Sequence, residues 1–484
     1  MHICVIGTGA SGLMAACALK EQSWVERVTL IGSPKIPTIG VGESTTLNFE
    51  KWNRKFLNNF SDFIRESDAA VKYGVYYEGW NPGRGWLHHF KSEIQTESNG
   101  ITQFDYGILL GNKPEDVYIH DIYGKKLFEY ATNNQVVVDR EKYADEFPFS
   151  WHFDAGKYIK FLLDICIMSD KVRVVFDTVV DCKYHTENNI ESISGLTLES
   201  GTEVTADFYI NSTGAKSDVF KEDYVSLSDV LLTDRALFYP LEYTDREKQL
   251  HPYTIAKTMN HGWRWITPTA SRIGTGYAFS SQHVSDDDAI KEFVSDIGDD
   301  SIQPNIVDFK PRYNTRPYKA NSITLGMANG FLEPLDAPGL SISIMSLENV
   351  MHYLSYLDNR LHIQTDLHNP NHPWNDIVEI NCEENIDMHK WWAAFILTQY
   401  KTCHRKDTDF WFDHSTVQWD YQDNLMDNLT NQSMWPDCGA SMMFHQTIAA
   451  RNIQWYTPTN ELPFLLRERT ATTTTHANYL FTAC

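Results

Sequence analysis

Three glycines near the start of the chain have the spacing of a phosphate-binding loop. The hexapeptide GTGASG places Gly7, Gly9 and Gly12 in the pattern GxGxxG. In such loops the first glycine makes a tight turn, the second lets the backbone approach a pyrophosphate, and the third lets the following helix pack against the strand. Backbone N–H groups around Ala10 and Ser11 would then face the phosphates. The loop therefore predicts a dinucleotide site.

The segments around this loop form the unit that such a site requires. Residues 2–6 are a short apolar strand, residues 11–20 an alanine-rich helix and residues 25–31 a second strand. This order predicts a parallel pair of strands within an α/β sheet. An acidic residue about 20 positions after the loop should hold the ribose, but the second strand ends at Gly32 and Ser33. We therefore expect dinucleotide binding to be weaker than usual.

Lys72 is the second residue whose surroundings could support chemistry. It is the only charged residue between Ala69 and Tyr77, in a stretch that is otherwise apolar and aromatic. An ammonium held among aromatic side chains loses solvation, which lowers its pKa and makes it a better acid or nucleophile. The alternative is a lysine at a helix end that reaches water. From these residues alone, we favour the second interpretation.

The rest of the chain alternates between strand-like and helical patterns. Residues 171–180 and 190–210 are typical of β-hairpins, and residues 261–280 are again rich in strand formers. Apolar positions at helical spacing follow in residues 384–406. The run of threonines at 472–475 predicts a loose polar tail. No linker is evident, so we expect interleaved domains.

Composition excludes several classes of partner. The 484 residues carry a formal net charge of -23, which repels phosphate backbones and anionic lipid, so neither nucleic acid nor a membrane surface is expected as a partner. The 8 cysteines form no CxxC pair, and His362, His368 and His372 lack ligand spacing, so no metal site is expected. No signal peptide or membrane-spanning stretch is evident, which predicts a soluble cytoplasmic protein.

Several further segments resemble motifs of the flavin-dependent, tryptophan-type halogenases. Residues 39–45 (IGVGEST) look like the family segment GVGE(A/S)T, and residues 262–268 (GWRWITP) are similar to WxWxIP. Residues 326–339 (GMANGFLEPLDAPG) resemble GxxxGFxEPLESTG. Residues 151–155 and 404–411 also resemble segments of this family. The resemblance runs from residue 2 to about residue 411, and a viral, phage-encoded member of the group is a further hypothesis.

The resemblance implies a fold and a cofactor. We expect an α/β fold: a flavin hydroxylase-like core, with a Rossmann-type parallel sheet and a β-sheet over the flavin, and a largely helical C-terminal part. The corresponding domains would be residues 1–350 and 351–484. Residues 207–214 resemble the segment that closes FAD sites in flavin hydroxylases, which favours FAD over NAD. The implied cofactor contacts are Gly7, Gly9, Ala10, Ser11, Gly12, Gly42, Glu43, Ser44, Thr213, Gly214 and Leu340.

The resemblance also implies roles in catalysis. Reduced FAD, oxygen and a halide would yield hypohalous acid, which Lys72 captures and directs to an electron-rich arene. Trp263 and Trp265, two apart on a strand and hence on one face, would separate flavin from substrate. Asp336 stands where the family has a glutamate that assists substitution. The halide would lie at Pro338 and Gly339, and because proline has no N–H, we expect bromide or iodide to be preferred.

Two alternatives to a halogenase remain open from the sequence. A flavin monooxygenase would hydroxylate its substrate directly and would need neither halide nor Lys72. A flavin-binding protein without catalysis is compatible with the altered ribose position, Asp336 and Pro338. If the halogenase reading holds, the absence of a second nucleotide fingerprint implies that a separate flavin reductase supplies FADH2. A homo-oligomer is compatible with the sequence.

Overall fold

The computed structural model describes residues 1–35, 43–57, 60–80, 85–90, 125–137, 147–361, 369, 373–424 and 473–475. Within these residues the strands, in chain order, are β1 (His2–Ile6), β2 (Arg27–Gly32), β3 (Glu43–Ser44), β4 (Ala70–Lys72), β5 (Gly74–Glu78), β6 (Trp86–His89), β7 (Gln135–Val137), β8 (Ser150–Phe153), β9 (Val172–Phe176), β10 (Val179–Glu187), β11 (Ile190–Leu198), β12 (Glu203–Val204), β13 (Phe208–Asn211), β14 (Tyr224–Ser226), β15 (Arg235–Leu241), β16 (Thr254–Met259), β17 (Gly262–Pro268), β18 (Ile273–Phe279), β19 (Asn305–Asp308), β20 (Arg312–Asn314), β21 (Tyr318–Lys319), β22 (Ser322–Thr324), β23 (Gly330–Phe331) and β24 (Thr473–Thr475). The helices are α1 (Ala10–Lys20), α2 (Leu47–Phe56), α3 (Phe60–Glu66), α4 (Lys125–Thr132), α5 (Ala155–Ile167), α6 (Arg246–Gln249), α7 (Asp286–Ile297), α8 (Pro338–Leu361), α9 (Pro373–Thr402) and α10 (Asp409–Thr416), with a 3-10 turn at Gly326–Ala328.

A parallel sheet carries the glycine loop. Its strand order is β21-β22-β13-β1-β2-β9, and every pair from β22 to β9 is parallel. The helix α1 connects β1 to β2, which confirms the predicted strand–helix–strand unit. Strands β13 and β22 come from much later in the chain, so the sheet is assembled from distant segments.

The hairpin prediction is only partly correct. Strands β10 and β11 form an antiparallel hairpin, and their turn uses Asn188 and Asn189 at positive φ, as the sequence predicted. However, Val172–Phe176 and Phe208–Asn211 belong to no hairpin. They pair in parallel with β2 and β1 and extend the central sheet, β13 as a fully buried strand and β9 as a partly exposed edge strand.

A second, larger sheet holds the two tryptophans of interest. Its order is β19-β15-β18-β17-β16-β5-β6, and only the pair of β16 and β5 is parallel. Strand β17 lies in the middle, with Trp263 and Trp265 packed in the same apolar cluster as Ala393–Leu397 of α9. The core of this sheet is therefore closed by the helical C-terminal part.

The C-terminal part of the described chain is largely helical, as predicted, through α8, α9 and α10. Helix α8 runs across position 350, and the division into residues 1–350 and 351–484 stays a prediction. The expectation of a loose tail is wrong at Thr473–Thr475, because β24 pairs antiparallel with β7 and its backbone hydrogen bonds are thereby satisfied. Among the described helices, none combines the length and apolar character needed to cross a membrane.

Candidate active site

The glycine loop and two distant segments meet at the carboxyl edge of the parallel sheet. Gly7 follows β1 with φ at +116°, and a Cβ there would lie 2.2 Å from the carbonyl oxygen of Ser212, which follows β13. A Cβ at Gly12 would lie 2.1 Å from the carbonyl oxygen of Gly7. Gly326, after β22, would press a Cβ to 2.7 Å from Oγ of Ser11. Glycine at these positions lets three strand ends close around one point.

Gly9 serves a different purpose from its neighbours. A Cβ at Gly9 would meet no protein atom within 4 Å, and the same holds for Gly214, which has φ at +86°. Gly9 is also the N-cap of α1 and offers no side-chain acceptor to the first N–H groups of the helix. Open backbone beside an uncapped helix N-terminus fits a bound pyrophosphate. The residues present therefore fit the phosphates of a dinucleotide.

The other predicted cofactor residues make hydrogen bonds or packing contacts within the protein. The hydroxyl of Ser11 lies 3.2 Å from Oγ of Ser343, and that of Thr213 donates to Oδ1 of Asn211 at 2.7 Å. Ser44 pairs with Oγ1 of Thr254 at 2.8 Å, and Leu340 packs against the core that contains α1. Gly42 and the side chain of Glu43 lie outside the described residues.

The acidic residue expected to hold the ribose is missing at the end of β2, where the chain has Gly32 and Ser33. A Cβ at Gly32 would lie 2.4 Å from Cγ2 of Thr8, so an acidic side chain could not be placed there without moving that residue. The hydroxyl of Ser33 pairs with Oγ1 of Thr178 at 2.8 Å. Strand β2 thus ends without a carboxylate at the position that usually holds a ribose.

Lys72 is fully buried at the end of strand β4 rather than at the end of a helix. Its Nζ donates to the carbonyl oxygen of Thr45 at 2.7 Å and lies 5.1 Å from the ring centroid of Phe90. Burial lowers the pKa of Lys72 to about 7, and the charge of Asp336 opposes that shift. The interpretation as a solvated, helix-terminal lysine is wrong.

Asp336 is held in an unusual backbone conformation close to Lys72. Its φ is 59° and that of Ala337 is 56°, both in the left-handed region that residues other than glycine rarely adopt. The hydroxyl of Tyr77 donates to Oδ2 of Asp336, and Nδ1 of His88 lies 3.5 Å from Oδ1. A buried amine and a buried carboxylate therefore lie close enough for the charge of Asp336 to affect the pKa of Lys72.

The two tryptophans of β17 point to one side of the sheet, as their spacing predicted. Their ring centroids are 6.0 Å apart, and both side chains are buried. Gly276 on the neighbouring strand leaves the space for Trp265, since a Cβ there would lie 2.0 Å from Cζ2 of that indole. The pair forms a rigid aromatic wall.

Similarity to known proteins agrees with this arrangement. A family model described as tryptophan halogenase matches residues 2–450. The chain belongs to the tryptophan halogenase family. It is 27% identical over 434 residues to tryptophan 7-halogenase RebH of Lentzea aerocolonigenes, covering 84% of this chain and 78% of that protein. The viral origin considered above gains no support from these relatives.

Solved structures of halogenases have the same fold. A tryptophan halogenase from Shewanella frigidimarina NCIMB 400 superposes with a TM-score of 0.82 at 22% identity, covering 96% of this chain and 90% of that one. Tar14, a tryptophan C-6 flavin-dependent halogenase of taromycin biosynthesis, gives a TM-score of 0.80 at 20% identity, covering 100% and 95%. These likenesses show that the fold is shared, and the family match identifies a flavin-dependent halogenase, an oxidoreductase.

Glu333 is a further buried carboxylate beside the aromatic wall. It is fully buried and accepts hydrogen bonds from the hydroxyls of Thr233 and Tyr400 and, at 3.3 Å, from Nε1 of Trp263. Burial raises the pKa of Glu333 to about 7, although these three donors act in the opposite direction. In this halogenase Glu333 therefore anchors the aromatic wall to helix α9.

The predicted halide turn is the start of helix α8. Pro338 is the first helical residue, a position where its missing N–H removes no hydrogen bond within the helix. Gly339 follows in the first turn, where backbone N–H groups have no partner inside the helix, and no protein atom lies within 4 Å of a Cβ built there. The space beside Gly339 is open, as an anion site requires.

Two aspartates in the segments that resemble the family, Asp154 and Asp407, have structural roles. Asp154 caps helix α5 by accepting from the N–H of Lys157 at 2.9 Å, and it pairs with Arg272. Asp407 forms an ion pair with Arg405 at 2.7 Å. His362, His368 and His372 lie outside the described residues, within which no cluster of metal-ligating side chains occurs.

Proposed function

We propose that this halogenase transfers a halogen from hypohalous acid to an electron-rich aromatic substrate, of indole or phenol type, with Lys72 and Asp336 as its catalytic residues. The observation that carries the proposal is the fully buried Lys72, whose pKa of about 7 is opposed by the nearby charge of Asp336. A buried ammonium without a function would be costly, and perturbed lysines of this kind cluster at active sites.

The residues that would hold the cofactor are those of the open loop. The N–H groups of α1 and the bare backbone of Gly9 and Gly214 would bind the pyrophosphate of FAD. Bound reduced FAD supplies the electrons with which oxygen and a halide give hypohalous acid. A separate flavin reductase would provide the reduced cofactor. Trp263 and Trp265 would keep the arene from the flavin.

Lys72 and Asp336 would then complete the substitution. The Lys72 ammonium donates a proton to the oxygen of the hypohalous acid as the ring attacks the halogen, so the oxygen–halogen bond breaks and water leaves. The carbon–halogen bond forms at the same step and leaves a cationic ring. The Asp336 carboxylate stabilises that cation and takes the proton from the substituted carbon. One hypohalous acid and one arene give one haloarene and one water.

The test is a product analysis of the wild-type protein. Purified protein receives reduced FAD, oxygen and an indole or phenol probe, with bromide present or absent, and products are read by mass spectrometry. We expect a brominated arene that requires bromide. A hydroxylated product without bromide would identify a monooxygenase, and an unmodified probe with retained flavin would identify a binding protein. Either result would overturn the proposal.

A further inference from the structure

Asp336 stands on a rigid turn between two fixed points. Glu333 anchors the segment through three donors, and Pro338 begins helix α8. Asp336 and Ala337 between them are both in the left-handed conformation. The backbone therefore has little freedom to move the Asp336 carboxylate, and its short side chain has few rotamers with which to aim it.

The partner that meets this carboxylate is itself immobile. Tyr77 lies on β5 between two neighbouring strands, paired with Ala256 on one side and Trp86 on the other. Its ring is fully buried, stacks on Trp86 at a centroid distance of 5.1 Å and meets the edge of Trp80 at 5.3 Å. The hydroxyl of this buried ring donates to Oδ2 of Asp336.

We propose that Tyr77 is a positioning residue for Asp336: its hydroxyl holds one carboxylate oxygen and thereby sets where the other is presented to the substrate. This inference rests on the proposed function, because it gives the held carboxylate a task in substitution. The side chain of Asp336 is one methylene shorter than a glutamate, so its reach depends on its direction. Tyr77 fixes that direction from a strand 259 residues away in sequence.

Tyr77 is the hydrogen-bond donor among the ionisable groups near this carboxylate. Within the described structure those groups are Tyr77 on β5, His88 on β6, Lys72 on β4 and Glu333 in its own turn. Nδ1 of His88 lies 3.5 Å from Oδ1, whereas the hydroxyl of Tyr77 donates to Oδ2. The contact from Tyr77 is therefore the one that orients the carboxylate.

The deciding experiment observes the Asp336 carboxylate without relying on catalysis. Full-length protein is labelled with 13C at the aspartate carboxyl carbon, and the Asp336 resonance is assigned by its loss in Asp336→Asn. In Tyr77→Phe, at a fixed pH, we expect the Asp336 resonance to move and to broaden, because the carboxylate loses the donor that holds it. Tyr277→Phe is the matched control, because Tyr277 is a buried tyrosine that donates to Glu292 at 2.9 Å. It should leave Asp336 unchanged.

Activity gives the second readout. In Tyr77→Phe we expect kcat for halogenation to fall about tenfold, with KM for the arene unchanged. If Tyr77→Phe does not fold, 3-fluorotyrosine at position 77 nearly keeps the size of the ring and donates more strongly, so the Asp336 resonance should move but stay sharp. An unmoved Asp336 resonance would overturn the role of Tyr77. A shifted resonance in a wild-type protein that makes no haloarene would overturn only the proposed function.

Discussion

Nε1 of Trp263 lies 3.3 Å from Oε1 of the buried Glu333, so a carboxylate fixes the orientation of one half of the aromatic wall. The same carboxylate accepts from Tyr400 on helix α9. The wall, the Asp336 turn and the C-terminal helices are therefore connected through one side chain. Substitution of Glu333 should therefore lower the stability of the protein. In the proposed function it should also weaken the separation of flavin from substrate by Trp263 and Trp265.

The first prediction concerns the pH dependence of that connection. Glu333 has a pKa of about 7 in the folded protein, above its ordinary 4.5. A raised carboxyl pKa means that the folded state binds the proton more tightly, so its stabilising effect is complete below pH 4.5 and is lost as pH rises towards 7. Glutamine at this position does not titrate. Between pH 4.5 and 7 the free energy of unfolding of Glu333→Gln should therefore fall less than that of the wild-type protein, by on the order of 3 kcal/mol.

Urea unfolding at several pH values measures this effect. The exposed Glu383 provides a control, since Glu383→Gln should track the wild-type protein throughout. Parallel pH profiles for Glu333→Gln and the wild-type protein would show that Glu333 remains ionised and that the buried network does not exchange a proton in this range.

The second prediction concerns the cofactor loop. Gly9→Val should abolish FAD binding, because its side chain would occupy the open space that the pyrophosphate needs. The variant should unfold at the wild-type temperature, since no protein atom lies within 4 Å of the added Cβ. Gly9→Ala should give an intermediate affinity. Flavin titration followed by fluorescence measures all three proteins, and wild-type affinity in Gly9→Val would place the cofactor elsewhere.

The third prediction concerns the choice of halide. Chloride is the most strongly hydrated of the three heavier halides, so its binding depends most on hydrogen-bond donors. The turn with Pro338 offers one N–H fewer, and a hydrogen bond to a charged group contributes about 1.5–3 kcal/mol. This loss corresponds to roughly tenfold to hundredfold weaker binding, and bromide or iodide should be incorporated in preference to chloride.

Competition decides this prediction. Equal concentrations of chloride, bromide and iodide are offered with one phenol, and the products are separated by mass. Pro338→Thr restores the N–H and should raise the chlorinated share, whereas Ala337→Ser alone restores only a hydroxyl. Predominantly chlorinated product from the wild-type protein would refute the argument from the missing donor.

The sequence predicts features formed by residues that are neighbours in the chain, but it does not predict contacts between distant residues. The glycine loop was predictable because its turn, helix and strand are neighbours in the chain, and the pair Trp263 and Trp265 because strand spacing alone sets their direction. The residues around Lys72 favour a lysine at a helix end, because nothing nearby in the sequence indicates that β4 pairs with β8. That pairing is what removes Lys72 from water.

The hydrogen bonds that hold the carboxylates of Asp336 and Glu333 cannot be predicted from the sequence for the same reason. Tyr77 and Asp336 are 259 residues apart, and Tyr400 and Glu333 are 67 residues apart. A tyrosine in an aromatic stretch gives no sign of the carboxylate it will meet. Even the polar threonines of β24 are paired, because strand β7 supplies backbone partners from the far side of the chain. The sequence indicates which groups could carry the chemistry, and the fold determines what holds them.

The most direct test of the account is the partition of oxidised halide in Lys72→Ala. The variant is supplied with reduced FAD, oxygen, bromide and an indole, and both haloarene and free hypobromous acid are measured. In the proposed mechanism Lys72 acts after the halide is oxidised. We therefore predict that flavin binding and hypobromous acid formation persist, while haloarene made in the presence of a scavenger of free hypobromous acid falls below detection. Lys160→Ala, which removes an exposed lysine, should match the wild-type protein. Haloarene formation by Lys72→Ala at the wild-type rate would contradict the account.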